Sequence, residues 1–108
     1  MIPDWANQIV NTQIREILRY PEFQGKRYPN VEWTTFSKIP RRYGDYDLCT
    51  NTIRLNVKLI KMRVGALEEV ITHEMCHMIY QNHRKEFKTL LNKMYPNRSN
   101  KHQARYTI

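Results

Sequence analysis

Val70-Ile71-Thr72-His73-Glu74-Met75-Cys76-His77 is the stretch on which this chain's fold turns. Residues four apart on a helix point the same way, so His73 and His77 can bring two imidazoles to one cation. Glu74 lies one residue further on, about 100° around the helix. It cannot share their corner of a metal, but it can reach a water held there and act as general base while the cation polarises a carbonyl. The spacing is HExxH. With His73 set at zero on a helical wheel, Val70, Leu67, Met78, Ile71 and Met75 fill an arc from roughly 60° to 200°. Glu74 falls inside that apolar arc, where an ionised carboxylate is costly unless it is paired or has a task. Glu68, Glu69 and Thr72 fall on the opposite side, which reads as solvent-facing.

A structural zinc ion usually has four protein ligands, and a catalytic one has three plus water. Three candidates for a third ligand follow the motif: His83, Glu86 and His102. His83 is favoured, because the helix is expected to end near Tyr80-Gln81-Asn82 and a chain that turns back there presents His83 to the metal. Glu86 is less well aimed, at the edge of the next helix's apolar stripe. Tyr80, seven residues after His73, returns to the ligand face. It reads either as a half-buried packing residue or as a stabiliser of the transition-state oxyanion. Cys49 and Cys76 read as packing residues with reduced thiols, since two cysteines are too few for a disulfide scaffold.

Outward from the motif, Trp5, Ile9, Val10, Ile14, Ile17 and Leu18 recur at helical spacing after Pro3-Asp4, with Asp4 as candidate N-cap, and Tyr20-Pro21 stops the run. Three strand-like stretches follow: Val31 to Phe36, Tyr46 to Thr50, and Thr52 to Val57, the last two joined by a hairpin at Cys49-Thr50-Asn51-Thr52. Ile53, Leu55 and Val57 share one face of the third. The motif helix is expected over about Val64 to Gln81. A last helix from about Arg84 to Met94 carries the stripe Phe87, Leu90, Leu91 and Met94. This order predicts an α+β domain: an N-terminal helix, a small three-stranded antiparallel sheet, the HExxH helix and a C-terminal helix. Residues 1–97 form the expected single domain, and 98–108 a basic C-terminal tail. The tail reads either as a frayed end or as a strap that sets His102 on the metal.

The chain has 108 residues, which admits one small core. Apolar residues at 41% and charged residues at 26% describe an ordinary globular chain and exclude disorder as its default state. Apolar runs fall far short of a membrane span, and no basic-then-apolar stretch opens the chain, so a cytoplasmic location without membrane contact is expected. Eighteen Lys and Arg against ten Asp and Glu give a net charge of +8. After Glu86, the last acidic residue, come Lys88, Lys93, Arg98, Lys101 and Arg105. That surplus reads either as a solvated surface or as a face for nucleic acid.

His73-Glu74-Met75-Cys76-His77, five residues, His83, three residues and Phe87 resembles the HExxHx5Hx3F pattern of YgjP-like metallopeptidases, which group with the SprT-like and WLM zinc peptidases. Arg42-Tyr43-Gly44, the strand Ile53-Arg54-Leu55-Asn56 and Val70-Ile71 also fit, so the resemblance covers about residues 40 to 96. Asp45-Tyr46-Asp47 departs from the Ser-Cys expected there and is closer to the SprT-like pattern. The small size is similar to that of the minigluzincins, whose third ligand is a Glu, which keeps Glu86 in view. The resemblance implies a zincin core with His73, His77 and His83 on Zn2+ and Glu74 as base. The expected function is zinc-dependent hydrolysis of peptide bonds through a zinc-bound water activated by Glu74. A protein or peptide substrate is expected to lie antiparallel to Thr52–Val57 as an edge strand. The rival expectation is a basic nucleic-acid-associated or regulatory protein with a structural or vestigial zinc site.

A nucleic-acid partner predicts binding to fluorescent single- or double-stranded DNA that weakens steeply with added salt, because phosphate contacts release counterions. Titration at two salt concentrations measures this, and absence of binding at low salt excludes it.

Overall fold

A computed structural model describes residues 1–39 and 41–96. The tail expected at 98–108, with His102, lies outside the described residues. Helix α1 spans Asp4–Leu18 and buries Ala6, Val10, Ile14 and Ile17, one stripe at helical spacing. Pro3, not Asp4, occupies the N-cap. It makes no side-chain cap bond, and Asp4 opens the first turn, where a carboxylate favours the positive end of the helix dipole. Trp5 lies outside the stripe and is exposed, although the next residue, Ala6, is fully buried.

Strands β1 (Asn30–Thr34), β2 (Gly44–Asp47) and β3 (Thr52–Asn56) form one sheet in the order β1-β3-β2. The expected β2–β3 hairpin is present, with Asp45 facing Arg54 and Tyr46 facing Ile53 in antiparallel register, but β2 starts two residues before the expected Tyr46 and ends at Asp47, not Thr50. Asn51 turns it at φ 52° and accepts a hydrogen bond from the Tyr46 hydroxyl at 2.6 Å. Asn tolerates this left-handed conformation better than most residues.

The sheet is mixed rather than antiparallel throughout. Strand β1 pairs with β3 in parallel, Val31 opposite Ile53 and Trp33 opposite Leu55. The physical reason is burial. Ile53 and Leu55 have 0% exposure, and β3 is the most apolar of the three strands on its inner face, so it takes the centre. Once β3 lies between the other two, the chain must cross over to start β2 on the far side, and the returning hairpin strand runs parallel to β1. Thr52–Asn56 is therefore no edge. The edges are β1 and β2.

Helix α2 spans Val64–Cys76 and is buried along nearly its whole length. The face expected to meet solvent is covered by α1: Gln13 donates from Nε2 to Thr72 Oγ1 at 3.0 Å, and Thr72 and Glu69 are buried. The helix also ends sooner than expected. His77 and Met78 donate backbone N–H to Glu74 and Met75, each three residues back, and Ile79 and Tyr80 both donate to Cys76. These tighter bonds close the last turn and redirect the chain. Helix α3 spans Lys85–Met94 and buries Phe87, Leu90 and Leu91. Asn82 Oδ1 accepts from the backbone N–H of Arg84 at its entry. Neither cysteine is in a disulfide; Cys76 is buried as expected, whereas Cys49 is exposed on the hairpin. None of the described helices is long and apolar enough to cross a membrane.

Gly44 is where the sheet meets α2. A Cβ there would lie 2.8 Å from Val70 Cγ1, 3.0 Å from the Arg54 carbonyl and 3.5 Å from Glu74 Cγ. Gly65, in the first turn of α2, has only the Tyr95 hydroxyl nearby, at 3.6 Å. Denaturant unfolding should give the two alanine substitutions opposite signs. Gly44→Ala should destabilise by about 1–3 kcal/mol through overpacking. Gly65→Ala should be neutral or stabilise by up to about 1 kcal/mol through helix propensity.

Candidate metal centre

Three imidazoles converge beyond the end of α2. His73 comes from its last turn and is 8% exposed. His77 is the C-cap with φ −69° and ψ −12°, so it keeps the helical direction that aligns it with His73. His83 comes from the connection to α3 and is exposed. One ring nitrogen of each lies within 4.8 Å of the others, and His73 Nε2 is 3.2 Å from His83 Nε2. Tetrahedral zinc bound at about 2.0–2.1 Å sets its nitrogen ligands about 3.3–3.4 Å apart, so this pair already has the spacing that a shared ion needs.

The chain fixes which nitrogen His77 offers. Its Nδ1 lies 3.0 Å from the backbone carbonyl of Tyr80. A carbonyl only accepts, so Nδ1 carries the hydrogen and Nε2 is left with its lone pair. Fixing the tautomer through the second nitrogen is a common device for metal-binding histidines. The contact exists because the helix closes at Cys76, which folds Tyr80 back over His77. Burial holds the His77 imidazole below its ordinary pKa, the Tyr80 carbonyl opposes that, and the charge of His83 adds to it.

Phe87 supports all three rings. Its centroid is 5.0 Å from that of His73, 4.7 Å from His77 and 4.8 Å from His83. Two of these contacts are edge-on and the His77 contact is tilted, which are favourable aromatic arrangements. In the sequence, Phe87 is one member of a core stripe and the last residue of the HExxHx5Hx3F pattern. Its place beneath the cluster depends on how α3 docks on α2.

Glu74 lies beside this cluster with 0% exposure, and neither carboxylate oxygen has a hydrogen-bond partner among the described residues. Burial pushes its pKa well above the ordinary carboxylate value. Asp45 adds to the rise and Arg42 opposes it. A buried carboxylate without partners is exceptional in a folded protein, and here it leaves lone pairs free to accept hydrogen bonds. The cavity onto which it abuts has about 360 Å³ and is lined by Arg42, Asp45, Tyr46, Leu48, Glu74, His77 and Gln81. Five of these residues were not singled out in the sequence as site residues: Arg42, Asp45, Tyr46 and Leu48 reach the cleft through the packing of β2 and its flanks on α2, and Gln81 through the turn after α2. Gly44, with no side chain, was the available local signal.

Glu86 and Tyr80 stand elsewhere. Both line a second cavity of about 330 Å³ with Glu22, Lys85, Thr89, Leu90 and Lys93. Glu86 is exposed and outside the histidine group, and Tyr80 is half-buried against the core.

The sequence profile of the YgjP-like, metallopeptidase domain matches residues 1–105, and the chain belongs to that family. No curated protein matches the sequence. Two solved structures share the fold. The metallopeptidase zymogen abylysin of Pyrococcus abyssi superposes with a TM-score of 0.66 at 16% identity, over 86% of this chain and 82% of that one. The metallopeptidase zymogen jannalysin of Methanocaldococcus jannaschii superposes with a TM-score of 0.64 at 21% identity, over 82% and 79%.

The raised pKa of Glu74 fixes the sign of a pH effect on the metal-free protein. Below about pH 4.5, the ordinary value, folded and unfolded states both hold the proton and stability is complete. Above it the unfolded chain releases the proton first, so folding stability falls as pH rises, by up to about 1.4 kcal/mol per unit. In the presence of chelator, the stability of Glu74→Gln relative to wild type should therefore increase with pH above 4.5. Thermal melts across pH 4 to 8 measure the difference, and a gap independent of pH excludes the effect.

Proposed function

We propose that this YgjP-like metallopeptidase uses zinc, that His73, His77 and His83 hold it, and that Glu74 is the general base for peptide-bond hydrolysis. The observation that carries this is the pairing of three converging imidazoles with a fully buried, unpartnered carboxylate at one cavity. Three ligands rather than four leave a coordination position open, as catalytic zinc requires, so the geometry favours catalysis over a structural site. Among the described residues the histidine group contains no fourth protein ligand. Zinc held there would supply an acidified water and Lewis-acid polarisation of the scissile carbonyl.

The remaining work falls to the chain. Glu74 takes a proton from the attacking water and passes it to the departing amine nitrogen. Its apolar setting raises its proton affinity, which suits it to hold that proton between the two steps. The Tyr80 carbonyl holds His77 in one tautomer, and Phe87 packs against all three imidazole rings. Asp45 and Tyr46 of β2 border the cavity, and β2 is an edge strand with unpaired outer backbone groups. A peptide substrate would therefore add to β2, not to β3, running antiparallel to it through main-chain hydrogen bonds.

Metal analysis of the purified protein and its variants, with hydrolysis of an unstructured protein, tests the assignment. Glu74→Gln should retain about one zinc per chain while hydrolysis falls by about a hundredfold or more. His83→Ala should shed zinc, and Glu86→Gln should keep both metal and activity. Zinc loss in Glu86→Gln would make Glu86 the third ligand. Zinc loss in Glu74→Gln would make that carboxylate a ligand instead of the base.

A further inference from the structure

We propose that Arg42 is a specificity-determining residue that binds a substrate carboxylate on the C-terminal side of the cleaved bond; this rests on the peptidase reading above. Asp45 gives both carboxylate oxygens to Arg54, Oδ1 accepting from Nε at 2.8 Å and Oδ2 from Nη2. Such a bidentate pair uses the best lone pairs of the carboxylate. Arg42 reaches the same Asp45 only at 3.5 Å, through Nη1. Its Nε is buried and has no hydrogen-bond partner among the described residues. Arg42 is therefore left with donors unspent, and one carboxylate serves two guanidiniums.

The position of Arg42 turns this surplus into a subsite. It lines the cavity that holds Glu74 and His77, and its own carbonyl is pinned by Asn56 Nδ2 at 2.8 Å, which fixes the backbone that aims the side chain. Arg42 precedes β2, while Tyr46 and the exposed Leu48 mark its far end and line the same cavity. The cleft thus has a cationic end and an apolar end. A peptide antiparallel to β2 runs from Leu48 toward Arg42, so its C-terminal side meets the guanidinium. A carboxylate there, from an acidic side chain or from the chain terminus itself, accepts two parallel N–H bonds from the Nη1 and Nη2 fork, which Asp45 meets only at 3.5 Å through Nη1.

The test uses the zinc-loaded full chain and peptides that differ in one residue after the cleaved bond: Glu, Gln or Lys, each with an amidated terminus. A further peptide carries Gln with a free terminal carboxylate at that place. Mass spectrometry confirms the bond cut. The expected result is about tenfold higher kcat/KM for a carboxylate peptide than for amidated Gln, carried by KM, and a lower value for Lys. The Glu and free-terminus arms show which carboxylate is read. Arg42→Gln should erase the preference, Arg42→Lys should retain part of it, and Arg42→Glu should turn it toward the Lys peptide. Thermal melts confirm that each variant is folded. Fluorescence anisotropy of the same peptides on the Glu74→Gln protein gives Kd without turnover. Equal rates and equal Kd for carboxylate and amide peptides, or a preference that survives Arg42→Gln, would overturn the proposal while leaving the peptidase reading intact. No hydrolysis by wild type, together with a Kd preference lost in Arg42→Gln, would sink the peptidase reading and keep the carboxylate site. Neither hydrolysis nor a Kd preference would remove both.

Discussion

Everything at the histidine cluster depends on α2 being buried along nearly its whole length. Helix α1 lies on one face, the sheet on another, and α3 closes the end where the histidines emerge. A solvated helix could carry His73 and His77, but it could not hold Glu74 without partners at 0% exposure. In water that carboxylate would be hydrated and ordinary. Its proton affinity comes from the apolar wall of Val70 and its neighbours and from Asp45 nearby. Burial of the group opposes folding at neutral pH, and the surrounding core of Leu67, Ile71, Met75, Ile53 and Leu55 supplies the offset.

The second constraint is the closure of α2 at Cys76. Had the helix continued to Gln81, Tyr80 would have projected from its side and His83 would have been carried away from the motif. The tightened bonds at residues 77–80 instead do two things with one turn. They put the Tyr80 carbonyl on His77 Nδ1, and they bring the chain back so that His83 reaches His73. Phe87 then braces three rings from a single position on α3, so the packing of α3 and the geometry of the site cannot vary independently.

The sheet determines what can approach this centre. With β3 in the middle, β2 becomes the edge that borders the cleft, and Gly44 lets it approach α2 to within contact of Val70 and Glu74. The same approach puts Asp45 beside Glu74 and sets the Arg42–Asp45–Arg54 group at the rim. One short strand thereby supplies pairing groups, local charge and a wall of the cleft.

The sequence by itself determined the parts of the site that obey a local period. HExxH fixes His73, Glu74 and His77 because helical geometry alone sets their relative directions. The apolar arc around Glu74 announced its burial, and the alternation of Ile53 and Leu55 announced the inner face of a strand. The hairpin was legible because its turn residues sit beside both strands. What was not legible came from contacts between distant segments. Alternation says which residues face inward but not which strand lies in the middle, so the parallel β1–β3 pairing was missed. The wheel of α2 shows a polar face at Glu69 and Thr72, yet only the docking of α1 decides that this face meets Gln13 and not water. Likewise, nothing near Arg42 or Asp45 in the chain reveals that they line one cavity with Glu74 and His77. Periodicity is a property of one segment, whereas a site wall is made by several, and only their packing decides which of them meet.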